Sequence, residues 1–248
     1  MAFLECHIGS AALGKSTAFN VVIPQNPSSP PKVLYLLHGL SDDYTIWMRR
    51  TSIERYASQY NLAVVMPDGG RSWYSDMQEG TGYWTYLSEE LPQLVQNMFK
   101  VSDKREDTFA AGLSMGGYGA FKLALNQPEK FGAAVSLSGA LLLDKLWGTW
   151  DKLLLVDLGP QEEFAGSVAD LAFQASSLAA SGKTCPRLLQ ICGTEDFLYK
   201  ANLDFRDLAT GLRLPLEYRE APGEHNWEFW DCHIQESLAW LLDGSRNE

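Results

Sequence analysis

The chain predicts a doubly wound α/β fold: a mostly parallel sheet covered by helices on both faces. Three observations carry this expectation. Short apolar runs alternate along the chain with longer amphipathic stretches. Within the runs the apolar residues are continuous rather than alternating with polar ones, as strands buried on both faces require. Each run also closes on glycine or turn residues: VLYLLHG (33–39), LAVVMPDGG (62–70), DTFAAGLS (107–114), AAVSLSG (133–139) and RLLQICG (187–193). The helical stretches lie between them, at 43–60, 83–100, 115–127, 200–210 and 227–242. Strand–helix alternation of this kind builds parallel crossover units.

The 248 residues suit one such domain over 1–248, since α/β domains often run to roughly 200–250 residues. The proline-rich QNPSSPP at 25–31 is too short to separate two domains. The region 141–186 carries Trp147 and Trp150, an acidic stretch, and then GSVADLAFQASSLAASG. Ser167 followed by apolar residues at 3–4 spacing predicts a helix there. The region is long enough for at most a small cap over a pocket.

With 20 basic against 31 acidic residues the formal net charge is −11. Nucleic-acid binding depends on Lys and Arg neutralising phosphates, so no nucleic-acid partner is expected. An anionic membrane surface is disfavoured on the same ground. No apolar run is long enough to span a bilayer, and MAFLECHIGS lacks the pattern of an export signal, so a cytoplasmic location is the expectation. Cys6, Cys185, Cys192 and Cys232 show no C-x-x-C spacing and read as reduced thiols. The four histidines are scattered and the acidic clusters lack glycines at ligand spacing, so neither a metal nor a cofactor is expected.

Two motifs compete for the chemistry. GSAALGKS (9–16) satisfies the phosphate-loop pattern G-x-x-x-x-G-K-[ST], and GLSMG (112–116) satisfies G-x-S-x-G. A phosphate loop needs a helix after it, because the helix N-terminus and successive backbone amides bind the phosphate. After Lys15 the chain runs STAFNVVIP, rich in β-branched residues and closed by Pro24. It reads as the second strand of a hairpin with ALGK (12–15) as the turn. KLLLVD (152–157) resembles the apolar run plus Asp of nucleotide hydrolases, but such runs are common in α/β proteins. Nucleotide binding remains the remote alternative.

The second motif has its context. DTFAAGL runs straight into Ser114, and MGGYGAFKLALNQP continues as a helix of small and apolar residues. A serine on a sharp strand-to-helix turn is lifted clear of the sheet, and Gly112 and Gly116 leave room where backbone segments cross. A serine needs a base, and the base needs an orienting acid, in chain order Ser, Asp/Glu, His. His7 and His38 precede Ser114. Of the other two, His225 sits in the loop APGEHNW, whereas His233 falls within the last helix. His225 is therefore the expected base. The acid should come after RLLQICG: Asp196 is the expectation and Glu195 the fallback. Backbone N–H groups of Leu40, after the third strand, and Met115, after the serine, are the expected oxyanion donors. His38 reads as a hydrogen-bonded residue shaping that loop. Trp73, Tyr74, Trp147 and Trp227 are expected to line the substrate pocket.

With these residues in place the sequence resembles the α/β-hydrolase superfamily, and within it the esterase D branch. That branch holds S-formylglutathione hydrolases, tributyrin-type short-chain esterases, feruloyl and acetyl-xylan esterases, and the related mycolyltransferases. The resemblance runs over nearly the whole chain, through LLHGLSDD, MPDGGRSWYSDMQEG, GLSMGGYGAF, CGTEDFLY and GEHNWEFWD. It implies Ser114, Asp196 and His225 as a catalytic triad, with Leu40 and Met115 as the oxyanion hole, and a homo-oligomer such as a dimer or tetramer. Two features depart from the pattern. The formylglutathione hydrolases usually carry a Cys after the Gly-Leu of the oxyanion loop, whereas Ser41 comes after Leu40 here; and the exported members carry a signal segment.

The expected activity is hydrolysis of short acyl esters, acetyl or butyryl on a sugar or aryl alcohol, through an acyl-serine. Thioester hydrolysis and acyl transfer to an acceptor alcohol are the alternatives that use the same residues. A noncatalytic binding protein on this fold is disfavoured because all three residue types are present in order.

Overall fold

The computed structural model describes residues 1–77, 80–146 and 158–243. Eight strands form one sheet: β1 (Ala2–Ser10), β2 (Lys15–Ile23), β3 (Lys32–Leu37), β4 (Leu62–Pro67), β5 (Thr108–Leu113), β6 (Ala133–Leu137), β7 (Arg187–Gly193) and β8 (Leu216–Ala221). Their order across the sheet is β1-β2-β4-β3-β5-β6-β7-β8. β1 and β2 form an antiparallel hairpin, β2 runs antiparallel to β4, and every pairing from β4 to β8 is parallel. This is the α/β-hydrolase architecture.

The continuous apolar runs now have their reason. Along β3, Val33, Tyr35 and Leu37 join the core on one face, and Leu34 and Leu36 join the core on the other. Successive side chains of a strand point to opposite faces, so a strand covered on both faces must be apolar throughout. The covering helices are α1 (Ile46–Arg50), α2 (Ile53–Ala57), α3 (Tyr83–Thr85), α4 (Leu91–Phe99), α5 (Met115–Asn126), α6 (Gln161–Phe164), α7 (Leu171–Ser181), α8 (Tyr199–Gly211) and α9 (Trp227–Asp243).

Two expectations change in detail. The stretch 43–60 is two short helices rather than one. Thr51 adopts an extended conformation between them; its hydroxyl donates to the Trp47 carbonyl at 2.6 Å and accepts from the Ile53 N–H at 3.1 Å. A hydroxyl that serves both backbone groups offers the chain an alternative to the helix ladder. In 141–186, the cap of α7 is Asp170, which accepts from the Phe173 N–H at 3.1 Å, and Ser167 lies outside the helix. Leu171, Ala175 and Leu178 of α7 are buried in the core, and the Tyr118 hydroxyl of α5 donates to the Ala169 carbonyl at 2.7 Å.

Residues 9–16 form the hairpin, but the turn is 11–14, and Lys15 already opens β2, paired with Ser10 of β1. Gly14 takes φ +64°, the left-handed conformation that favours glycine. The turn binds an anion after all, one supplied by the chain itself. The Glu90 carboxylate accepts from the Ala11 N–H at 2.8 Å, the Ala12 N–H at 3.3 Å and the Ser10 hydroxyl at 2.5 Å. The amides that a phosphate would need are held by this side chain.

Candidate active site

β5 delivers Ser114 to the carboxyl edge of the sheet, and α5 begins at the next residue. Ser114 has φ +52° and ψ −117°, a strained conformation for a residue with a side chain. Such strain costs on the order of 1–3 kcal/mol and persists only where the surroundings enforce it. Here two glycines make the turn sterically feasible. A Cβ on Gly112 would lie 2.4 Å from the Gly116 carbonyl, and one on Gly116 would lie 2.3 Å from the Leu37 carbonyl oxygen. The Ser114 N–H donates to the Leu137 carbonyl at 2.9 Å, tying the turn to the neighbouring strand β6.

The loop between β8 and α9 brings His225 over the strand ends. Its Nε2 lies 3.0 Å from Ser114 Oγ, and its Nδ1 lies 2.8 Å and 3.0 Å from the two Asp196 oxygens. Asp196 follows β7, and its side chain is fully buried. A buried carboxylate accepts, so Nδ1 carries the proton, leaving Nε2 to accept from the serine hydroxyl. Asp196 Oδ1 also accepts from the Leu198 N–H at 2.8 Å, which fixes the carboxylate against the chain that carries it.

Glu195, the fallback acid, stands outside this chain of contacts. It is exposed, and its carboxylate accepts from the Gly223 N–H at 2.5 Å and from the Thr194 hydroxyl at 2.7 Å. Those two bonds hold its carboxyl below the usual range. The Glu195 N–H in turn donates to the Gly223 carbonyl at 3.1 Å. Glu195 therefore ties the acid loop to the histidine loop. A Cβ on Gly193 would sit 2.1 Å from the Gly223 carbonyl oxygen, so the two loops cross in contact.

Two aromatic rings flank the imidazole. Trp230 meets it edge-on at 4.9 Å between centroids, and Phe197 lies against it at 4.5 Å. Trp230 is buried and its indole N–H donates to the Ser138 hydroxyl at 3.1 Å. His233, the excluded histidine, lies in α9 and pairs with Glu236.

Leu40 follows the end of β3, and Met115 opens α5. The first amides of a helix have no carbonyl partner within it, and the Met115 N–H is one of these. His38 shapes the Leu40 loop. Its Nε2 accepts from the Gly69 N–H at 2.8 Å and its Nδ1–H donates to the Gly39 carbonyl at 2.7 Å. Asp68 lies 3.7 Å from the same Nε2, but a nitrogen that accepts from an amide carries no proton, so this contact is not an ion pair. Burial raises the Asp42 carboxyl pKa, and its Oδ2 stands beside Gly39, 3.2 Å from where a Cβ on that glycine would lie.

The four aromatic residues expected in the pocket fare differently. Trp73 and Tyr74 are each only 1% exposed and present almost no surface to a ligand. Tyr74 instead supports the loop from behind, donating its hydroxyl to the His38 carbonyl at 2.9 Å. This corrects the expectation for both: they are core residues of the site's scaffold. Trp227 is half-buried, packed edge-on against Trp47 and Trp230. Trp147 lies outside the described residues. Cys192 is fully buried, and burial pushes its thiol pKa far up, which disfavours the thiolate.

One buried group escaped the sequence reading. Lys122 of α5 is fully buried; its ammonium donates to the Tyr74 carbonyl at 3.0 Å and the Ser75 hydroxyl at 2.6 Å and lies over the Trp84 ring. Desolvation lowers its pKa to about 7. A signal was present: Lys122 lies in GGYGAFKLAL, where every other residue is small, apolar or aromatic. Among the described residues no cluster of three or more His, Cys, Asp or Glu could hold a metal ion, and no helix is long and apolar enough to cross a membrane.

A parallel sheet that presents a serine on such an elbow, followed in chain order by its acid and its histidine, defines the α/β-hydrolases. Within them this chain belongs to the family described as putative esterase, whose model matches residues 10–241. It is 29% identical to an acetyl esterase of Caldicellulosiruptor saccharolyticus, over 97% of this chain and 98% of that protein. Among solved structures it resembles the fluorophosphonate-binding serine hydrolase FphF of Staphylococcus aureus, with TM-score 0.90 and 36% identity over 97% of this chain and 98% of that one. The S-formylglutathione hydrolase FrmB of Staphylococcus aureus is similar to the same degree, with TM-score 0.89, 36% identity and the same coverage. The chain is a serine carboxylic ester hydrolase acting on a small-molecule ester.

Proposed function

We propose that the chain hydrolyses short-chain acyl esters, acetyl or butyryl, with Ser114 as nucleophile, His225 as base and Asp196 as the orienting acid. The single observation that carries this reading is the continuous chain of hydrogen bonds from Ser114 Oγ through His225 to buried Asp196. In the reaction His225 Nε2 takes the proton from Ser114 as Oγ bonds to the ester carbonyl carbon. The developing oxyanion is held by the amides of Leu40 and Met115. The imidazolium then gives its proton to the leaving alcohol oxygen as the C–O bond breaks. Water, deprotonated in turn by His225, attacks the acyl-serine and releases the acid. Asp196 keeps Nδ1 protonated and stabilises the imidazolium without taking the proton.

Residues 1–248 act as one catalytic domain in this scheme. A reducing cytoplasm suits the four free cysteines. Intact mass after fluorophosphonate treatment tests the nucleophile: one adduct on the wild type and none on Ser114→Ala is expected. Turnover of p-nitrophenyl esters of increasing length tests the acyl preference, which should fall beyond butyryl. Faster turnover of long-chain esters, or an adduct on the Ser114→Ala variant, refutes the corresponding part. Light scattering on the same samples reads whether the chain forms the dimer or tetramer that the family resemblance implies.

A further inference from the structure

We infer that Phe197 forms the leaving-group subsite, seating an uncharged aryl or otherwise apolar alcohol against His225; the inference rests on the proposed roles of Ser114 and His225. Phe197 is 63% exposed, the most exposed of the large hydrophobic residues described, and yet its ring centroid is 4.5 Å from the imidazole. Its backbone is fixed on both sides. The Asp196 N–H donates to the Gly193 carbonyl at 3.2 Å, the Leu198 N–H to Asp196 Oδ1 at 2.8 Å, and α8 begins at Tyr199. An apolar ring is thus carried on a fixed backbone at the surface beside the reacting groups. Large side chains on fixed backbone are the contacts that ligands use, because little conformational freedom remains to be lost.

Holding the imidazole does not require this ring. Asp196 fixes Nδ1 through two oxygens, and buried Trp230 supports the ring edge-on, itself anchored to Ser138. The reaction geometry says what Phe197 meets. To receive a proton from Nε2 the leaving oxygen must come within about 3 Å of it. The carbons attached to that oxygen then lie beside the imidazole, within reach of the Phe197 ring. The acyl chain extends from the other side of the carbonyl carbon and should not sense this residue. Glu195 is exposed two positions before Phe197, and the chain carries a net charge of −11, so an anionic leaving group is disfavoured there.

The test compares esters that share an acyl group and differ in alcohol. For Phe197→Ala, kcat/KM on phenyl acetate should fall about fivefold to tenfold, the scale of one aromatic contact. On methyl acetate it should change less than about twofold on the same scale. The ratio of phenyl butyrate to phenyl acetate turnover, and the acid limb of the kcat/KM–pH profile, should stay as in the wild type. Phe197→Trp should retain the phenyl preference. An equal fall on both acetates, or a displaced acid limb, would show that Phe197 acts through the imidazole and would overturn the inference. So would no fall on either. Fluorophosphonate labelling at the wild-type rate, with only fluoride leaving, checks that the variant is folded and its serine active. If the wild type itself turns over neither ester, or labels elsewhere than Ser114, the underlying assignment falls with the inference.

Discussion

The hairpin turn at 11–14 and the elbow at 112–116 are both short glycine-bearing turns, each within a motif that suggests anion binding or acyl chemistry. They differ in what fills them. At the hairpin the amides of Ala11 and Ala12 are taken by Glu90, a carboxylate from the helical segment 86–90 of the same chain. At the elbow the helix after Ser114 opens at Met115, and His225 rather than an anion lies opposite the hydroxyl. Local sequence can specify a turn that exposes donors. Whether those donors meet a ligand or a side chain depends on what the rest of the fold brings to them.

The sharpest way to break this comparison is to remove the hydroxyl proposed as the nucleophile at the elbow. Ser114→Ala should lower kcat/KM by at least about 10⁴-fold, with the melting temperature held or raised, since alanine accepts the strained turn no worse than serine. Asp196→Asn should cost on the order of 10³–10⁴-fold in kcat by removing the acceptor that keeps Nδ1 protonated. Steady-state kinetics on a p-nitrophenyl ester measures both; a loss under tenfold for either would contradict the assignment.

At the hairpin the same kind of deletion should leave catalysis alone. Glu90→Ala removes a carboxylate that satisfies three donors, and should lower stability by about 1–3 kcal/mol while kcat/KM changes less than about twofold. Chemical denaturation reads the first and turnover the second. ATP should raise the melting temperature of neither the wild type nor this variant. A shift in the wild type would restore the nucleotide reading, because specific binding to the folded state must stabilise it.

An effect confined to a pH window sits under the elbow helix. Lys122 has a folded pKa of about 7, against roughly 10.4 for a free lysine. Below pH 7 both states hold the proton and the full cost of burying the ammonium is present. Between about 7 and 10 the unfolded chain holds more protons at this site than the folded one, so its contribution to stability rises with pH. The wild type should therefore gain melting temperature relative to Lys122→Met as pH is raised from 7 to 9. A difference independent of pH would mean that the site does not lose its proton on folding.

The sheet and most helices were legible because their signals are local. Continuous apolar runs mark strands covered on both faces, and Leu34, Tyr35 and Leu36 have the same sequence character although they enter two different cores. Ser114, Asp196 and His225 were legible because only one histidine met the order and loop placement that the elbow demands. The aromatic residues expected in the pocket were harder. Trp73 and Tyr74 come after a strand end, as a pocket residue would, yet their left-handed backbone, with φ of 50° and 49°, turns them into the core. Thr51 breaks a helix that the apolar periodicity runs through. In the first case backbone conformation decides and in the second a side-chain hydroxyl bonded to the Trp47 carbonyl and the Ile53 N–H, and residue type signals either only weakly.

The sequence alone determined the order of strands and helices, the elbow with its two necessary glycines, and the identity of the three residues that meet there. Each rests on short-range rules of periodicity, steric size and chain order. Tertiary structure decided the rest: that Glu90 occupies the phosphate-like turn, that Glu195 ties two loops while Asp196 is buried behind the imidazole, and that Lys122 is enclosed beneath Tyr74. These choices join residues 28 to 80 positions apart in the chain. They depend on which side chain desolvates which donor once the sheet has closed, and no local pattern encodes that.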